Sequence, residues 1–267
     1  MELFSLKNKT AIVTGALGLI GKEHCKALSE AGANVIAADI DESKSKNFAK
    51  ELSTESIGVS LDVTSPDSIK NLREIVLEKY GHIDVLVNNA AINDMFEDPK
   101  AAAEQSKFEN YPLELWQKSI DVNLTGVFLC TQILGSEMAK QKFGSIINIA
   151  STYGITAPDQ SLYIKQDGTQ AFYKPPAYSA TKGAVIMFTR YVASYWGKDG
   201  VRVNTLTPGG VENLQDKFFI EKYSAKTPLG RMAKPTDYKG ALIFLACDAS
   251  SYMTGANLVV DGGWTSW

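Results

Sequence analysis

Tyr178 and Lys182 stand four residues apart in the segment Tyr178-Ser179-Ala180-Thr181-Lys182. On a helix that spacing puts the phenol and the ammonium on one side. A cation beside a phenol stabilises the phenolate and lowers a pKa that starts near about 10. The pair is predicted to serve as an acid/base close to neutral pH. Ser151 closes an apolar run, and its hydroxyl can bind a substrate oxygen. Tyr–Lys spacings of four are common by chance, so this chemistry needs a second signal.

That signal lies near the start of the chain. Thr10–Thr14 reads as a strand, runs into Thr14-Gly15-Ala16-Leu17-Gly18-Leu19-Ile20-Gly21, and is followed by a predicted helix over Lys22–Ala31. A tight glycine turn between strand and helix lets backbone N–H groups approach a pyrophosphate, and the helix N-terminus adds a favourable field. Asp39 closes a second apolar run, eighteen residues past Gly21. A carboxylate there accepts hydrogen bonds from both ribose hydroxyls and repels a 2′-phosphate, so NAD is expected over NADP. The competing reading of Asp39 is a solvated strand end beside Asp41 and Glu42. Asp62 ends a third run, where it can hold the adenine amino group. Asn88-Asn89-Ala90-Ala91 closes a fourth, where small residues and side-chain amides can line a cofactor.

These groups need a scaffold that brings strand ends together. Further strands are predicted over Asn34–Ala38, Gly58–Leu61, Asp84–Asn88, Gly144–Ser151, Val201–Thr207 and Asn257–Val260. Helices are predicted over Lys44–Glu51, Asp67–Tyr80 and Ala177–Trp196, one or two within Leu115–Lys142, and another over Tyr238–Ala246. Short, wholly apolar strands alternating with helices predict an α/β fold. The expected arrangement is one doubly wound, Rossmann-type domain over 1–267, its mostly parallel sheet covered by helices on both faces. Asn93–Pro112 and Ala157–Pro176 break the rhythm as long, polar, proline-bearing connections. Both follow strands on the carboxyl side of the sheet and are expected to cover a ligand crevice. The alternative is plain surface insertion.

Composition narrows the classes. Hydrophobic residues make up 45% and charged residues 21% of the 267, which excludes disorder over the whole chain. With 27 Lys+Arg against 30 Asp+Glu there is no basic excess to neutralise phosphates, so nucleic acid is not an expected partner. Cys25, Cys130 and Cys247 are odd in number and far apart, which fits buried thiols in a reducing compartment rather than a disulfide framework. Two histidines, His24 and His82, and scattered cysteines make a metal site unexpected. Met1–Lys9 has no secretory pattern and Ala11–Gly21 is too short to span a membrane. A cytoplasmic protein with no membrane partner is expected.

Taken together, these motifs resemble the short-chain dehydrogenase/reductase family. The resemblance runs from about Lys7 to Gly263. It rests on TGALGLIG at 14–21, NNAA at 88–91, DVN at 121–123, Ser151, YSATK at 178–182 and TPGGVEN at 207–213. It implies a catalytic set of Asn123, Ser151, Tyr178 and Lys182. In that set Tyr178 moves the proton, Ser151 polarises the substrate oxygen, Lys182 tunes the tyrosine and binds the nicotinamide ribose, and Asn123 supports a water beside Lys182. It implies cofactor contacts from Thr14, Gly15, Gly18, Leu19, Ile20 and Gly21 in the turn, and from Asp39, Asp62 and Val63 at the next strand ends. Asn89, Ala90, Ala91, Tyr178, Lys182, Pro208, Gly209, Val211 and Asn213 complete the implied cofactor set.

Several positions depart from the family pattern. Leu19 stands where its second glycine is usual, Ala91 where a glycine is commoner, and Asn213 where a threonine usually follows. Ser151 and Tyr178 are 27 residues apart, about twice the family's usual separation. The extra residues include Asp159, Gln160, Tyr163, Lys165, Asp167, Gln170 and Lys174, with Tyr163, Phe172 and Tyr173 as candidate anchors. They suit a hydroxylated or anionic substrate better than a steroid or long acyl chain. The chain resembles the sugar, polyol and sugar-acid branch, gluconate 5-dehydrogenase-like proteins included, some of which act in surface-sugar biosynthesis. Family tetramers form through the helix of Tyr178 and the one before it, so a homo-tetramer or homo-dimer is expected. Trp264 and Trp267 are expected on a partner subunit or the substrate region. One alternative is a 3-oxoacyl thioester reductase, for which Lys165 and Lys174 are a thin supply of docking cations. Another is a catalytically silent nucleotide-binding regulator or scaffold, against which intact Ser151, Tyr178 and Lys182 speak.

Overall fold

The computed structural model describes residues 2–93 and 102–267. Strand and helix alternate through the first half: β1 Thr10–Thr14, α1 Leu19–Glu30, β2 Asn34–Asp39, α2 Glu42–Ala49, β3 Ile57–Ser60, α3 Pro66–Tyr80 and β4 Val85–Asn88. After α4 (Ala102–Gln105) and α5 (Leu113–Ile120), the second half runs α6 Gly126–Gln141, β5 Gly144–Ile149, α7 Pro176–Trp196, β6 Val201–Pro208, α8 Lys217–Ala225, α9 Lys239–Ala246 and β7 Asn257–Val260. The strands form one seven-stranded sheet in the order β3-β2-β1-β4-β5-β6-β7, and every pairing is parallel.

The strands are apolar throughout because both of their faces are covered. Ala11 and Val13 of β1 join Val35, Ala37, Val85 and Val87 in a core closed by Cys25 and Leu28 of α1 and by Leu242 and Leu245 of α9. Ile12 points the other way, with Ile36, Leu86 and Ile146, into a core closed by α3, α6 and α7 through Leu72, Leu134 and Val192. The order reverses between β1 and β4. Outside their carboxyl ends lies the switch-point crevice where ligands of such sheets bind.

Local capping moves several helix starts. Gly18 is extended and lets α1 begin at Leu19, three residues before the predicted start. Asp41 accepts from the Lys44 N–H and starts α2 at Glu42, while Ser65 with Pro66 starts α3. The long pattern over 115–142 is α5 and α6 joined without a break through one π-helical turn, Asp121–Thr125. The predicted helix over Tyr238–Ala246 opens as a 3-10 turn, Pro235–Tyr238. Helix α8, capped by Asp216, is an addition to the predicted elements. All three cysteines are buried and unpaired. Among the described residues no helix is long and apolar enough to cross a membrane.

Candidate active site

Close packing dictates the glycine turn. Gly15 has φ +62°, and a Cβ on it would come 2.7 Å from Ala90 Cα. A Cβ on Gly21 would come 2.2 Å from the Gly15 carbonyl oxygen, so α1 can approach the turn only without a side chain there. Beneath the turn, the Thr14 hydroxyl accepts from the N–H groups of Asn89 and Ala90, both at 3.0 Å. Asn89 Nδ2 in return donates to the Thr14 and Gly15 carbonyls, both at 2.9 Å, and its Oδ1 is buried with no protein partner. Thr14 thus braces the turn from below, its side chain buried under it.

A cleft of about 860 Å³ opens above this turn. Gly15, Gly18, Leu19, Ile20 and Gly21 line one wall, and Asp39, Asp62 and Val63 line its far end. Asp39 accepts from the N–H groups of Leu17 (3.0 Å) and Ile40 (2.8 Å), so it also ties the turn to β2. Asp62 accepts from Thr64 N–H and Oγ1 at 2.8 and 2.7 Å. Asn89, Ala90 and Ala91 form the floor; Pro208, Val211 and Asn213 stand opposite. Gly209 is not on this surface. Its N–H donates to the Val260 carbonyl (2.9 Å), its own carbonyl accepts from Tyr238 Oη (3.0 Å), and a Cβ on it would come 2.8 Å from Asp261 Cα. A glycine-rich cradle, a strand-end carboxylate and small floor residues fit a nicotinamide dinucleotide.

Ser151, Tyr178 and Lys182 line the other end of the same cleft. After β5 the chain bends into a 3-10 turn, Thr152–Gly154, where Ser151 Oγ accepts from Tyr153 N–H at 3.2 Å. Pro176 opens α7, and Tyr178 and Lys182 sit on consecutive turns of it. Burial raises the Tyr178 phenol above its usual value, partly offset by a hydrogen bond with the Ser151 side chain. Burial also pushes the Lys182 ammonium down to about 8. Lys182 Nζ donates to the Ile149 carbonyl at 2.7 Å and lies 5.9 Å from the centre of the Tyr178 ring. The predicted lowering of the phenol is therefore not found in the protein by itself: burial raises it.

Asn123 stands in the π-helical turn, fully buried and off the cleft surface. Its Oδ1 accepts from Ile92 N–H at 2.7 Å and its Nδ2 donates to the Ile92 carbonyl at 2.9 Å. Its side chain is thus tied to the chain leaving β4.

The segment between Ser151 and Tyr178 is ordered. Asp159 caps a 3-10 turn, Gln160–Tyr163, and a bridge pairs Ile164 with Gln170. Tyr163 packs on Phe172 and Phe219, with ring centres 4.5 and 5.6 Å apart, in a cluster with Leu162, Tyr223, Met232 and Trp264. Tyr223 stacks on Trp264 at 4.2 Å, and its hydroxyl accepts from Gly210 N–H at 2.7 Å. Lys226 pairs with Asp159, and Lys222 Nζ donates to the carbonyls of Ser161 and Ile164. Of the expected anchors, Tyr163 and Phe172 hold through their rings. Tyr173 holds through its N–H, which donates to Ser106 Oγ at 2.7 Å. Trp264 is buried at the substrate end and Trp267 is exposed. In the other long connection, 94–101 lie outside the described residues; Asn93 lines the cleft.

The family model described as enoyl-(acyl carrier protein) reductase matches residues 15–265. The chain belongs to the short-chain dehydrogenase/reductase family. A 2-dehydro-3-deoxy-D-gluconate 5-dehydrogenase of Bacillus subtilis is 34% identical over 99% of this chain and 98% of its own. A 3-alpha-(or 20-beta)-hydroxysteroid dehydrogenase of Mycobacterium tuberculosis is 36% identical over 97% and 90%. Among solved structures, a gluconate 5-dehydrogenase from Burkholderia cenocepacia, in complex with NADP and tartrate, matches with TM-score 0.85 and 30% identity over 100% and 98% of the two chains. The likeness to the gluconate and sugar-acid dehydrogenase-like branch thus holds in both sequence and structure. Short-chain dehydrogenases transfer hydride between a nicotinamide dinucleotide and an alcohol or ketone, and this member has that general activity.

Tyr153, Phe219, Tyr223 and Met232 also line the cleft of this dehydrogenase. None is among the predicted site residues. The sequence carries a signal for two of them: Phe219 and Tyr223 are four apart behind the capping Asp216, an aromatic stripe on a short helix.

Proposed function

We propose that the chain is an NAD-preferring dehydrogenase/reductase of a secondary alcohol or ketone in a sugar, polyol or sugar acid. The observation that carries this reading is the segment between Ser151 and Tyr178. It contributes Lys174 and Tyr163, whose hydroxyl lies 3.3 Å from that of Tyr153, to the cleft lining shared with Ser151 and Tyr178. Those groups match a substrate dense in hydroxyls or charge. Asp39 supports NAD: it is fixed by two backbone N–H groups, and a 2′-phosphate would meet its carboxylate.

When bound, the nicotinamide ring supplies or accepts the hydride. Ser151 holds the substrate oxygen. Tyr178, kept protonated by burial, gives its proton to the developing alkoxide during reduction and takes one back during oxidation. Lys182 keeps a positive charge beside the pair at neutral pH, below about 8. Asn123 positions the floor of the cleft through Ile92. Met187, Tyr191 and Tyr195 form an exposed stripe on α7, with the two tyrosine rings stacked at 6.2 Å. That stripe supports a subunit contact.

Cofactor fluorescence against polyols, aldonates, keto-sugars and a hydroxysteroid, at pH 7 and pH 9, tests the reading. Turnover confined to the hydroxylated compounds is expected. A hydroxysteroid turned over in preference to all of them overturns it.

A further inference from the structure

Two phenols from different segments line the cleft together with Ser151 and Tyr178. Tyr153 lies two residues past Ser151 on the 3-10 turn, and its N–H donates to Ser151 Oγ. Tyr163 closes the 3-10 turn Gln160–Tyr163 of the long connection, which Asp159 caps and Lys226 ties to α8. The two hydroxyls lie 3.3 Å apart, and among the described residues the hydrogen bond that each makes is to the other. Burial raises both phenols, Tyr163 to about 12, and the nearby Tyr178 phenol adds to the rise in each. Both therefore stay protonated at neutral pH and offer hydroxyls rather than charge.

That bond is slack. Bonds between hydroxyls centre near about 2.7–2.8 Å, and two other buried phenols reach firmer partners. Tyr238 Oη donates to the Gly209 carbonyl at 3.0 Å, and Tyr223 Oη accepts from Gly210 N–H at 2.7 Å. Packing keeps the pair at its distance: the Tyr163 ring lies against Phe172 and Phe219, while the turn of Tyr153 is set on α7 through Gly154. Each hydroxyl carries one donor and two acceptor positions. One internal bond uses one of each, so the pair keeps a proton to give and lone pairs to receive. A substrate hydroxyl is complementary to this, since it accepts the one and gives its own. A carboxylate can only accept, and a CH group can do neither.

We propose that the Tyr153–Tyr163 hydroxyl pair binds a neutral hydroxyl of the substrate within two carbons of the reacting centre, and so selects hydroxy ketones over plain ones, an assignment that deepens the sugar-type reading and rests on it. A site built to bond a hydroxyl discriminates against the compound that lacks it, because its own polar groups are then left with the poorer bond. Tyr163 belongs to the residues that lengthen the connection from Ser151 to Tyr178, so the pair exists only because that connection is long.

The test measures reduction of acetoin, of its isomer with the hydroxyl one carbon further from the ketone, and of butanone. The wild type is expected to favour at least one hydroxy ketone over butanone by about tenfold in kcat/KM. In Tyr153→Phe and Tyr163→Phe that ratio is expected to shrink, and in the double variant to vanish, through KM more than kcat. The rings remain in these variants, so their packing does too. An unchanged ratio in the double variant overturns the inference. An equal fall on all three ketones also overturns it, since the hydroxyls would then serve packing alone, and so does a wild type without the preference. In each of these cases polyols or keto-sugars turned over in preference to a hydroxysteroid leave the sugar-type reading standing. A hydroxysteroid preferred to all of them overturns both.

Discussion

Gly154 lies against the backbone of Lys182 so closely that a Cβ on it would come 2.6 Å from the Lys182 carbonyl carbon. This approach sets the turn carrying Ser151 on the helix carrying Tyr178. Gly154→Ala should push the turn away and lower kcat by about tenfold or more, because small misplacements of reacting groups are costly. NAD binding by titration should change little, since the cradle is on other strands. A variant with full kcat would show that the contact is not what sets the geometry.

Tyr178→Phe should lose at least about two orders of magnitude in turnover, the scale of a lost acid/base. The ring stays in place, so circular dichroism and cofactor affinity should match the parent. Steady-state rates within threefold of the parent would rule out the proton-transfer role.

The pH profile of ketone reduction should be flat up to about pH 8 and fall above it as Lys182 loses its proton. Tyr178 adds no limb in that range, because burial raises it. The same lysine has an opposite effect on stability. Its folded pKa lies below the ordinary value near about 10.4, so between pH 8 and 10 the unfolded chain binds more protons and stability from this group rises with pH. A kcat/KM for reduction that stays level to pH 10 would remove Lys182 from the charged role.

NAD should be preferred over NADP, and Asp39→Ala should narrow the gap. The substitution also frees the N–H groups of Leu17 and Ile40, so affinity for NAD should drop as well. Turnover with each cofactor at equal concentration checks both. A parent enzyme faster with NADP would overturn the assignment.

Replacing 160–172 by a Gly-Ser link should raise the substrate KM or erase discrimination among sugars, with NAD affinity little changed. Initial rates and NAD titration are measured together in a correctly assembled variant. Unchanged substrate constants would mean that the segment is surface decoration. A matched loss of NAD binding would mean that it supports the nucleotide end.

The sheet was legible because period and composition reflect burial directly: a strand such as Val85–Asn88, covered on both faces, has only apolar or hydrogen-bonded residues to show. The glycine cradle was legible for a similar reason, since Gly15 and Gly21 have no room for another residue. Which residues face the cleft was less so. Thr14, Gly209 and Asn123 sit next to cleft-lining residues in sequence, yet are tied down by hydrogen bonds to neighbouring segments that local pattern does not show. Tyr223 and Met232 reach the cleft by packing with Leu162 and Tyr163, about 60 to 70 residues earlier in the chain, and local pattern does not encode such distances. The Tyr178 phenol shows the same limit: a four-residue spacing brings the cation near, but burial decides the sign of the shift.

The aromatic cluster around Tyr223 has a consequence for how specificity can change. Tyr163, Tyr223 and Trp264 come from three separate stretches of the chain, and Tyr223 also hydrogen-bonds the backbone at Gly210. Exchanging any one stretch for a relative's version leaves the other two without their partners. Grafted selectivity should therefore transfer only when all three are moved as a set, while the nucleotide half of the sheet can be left alone.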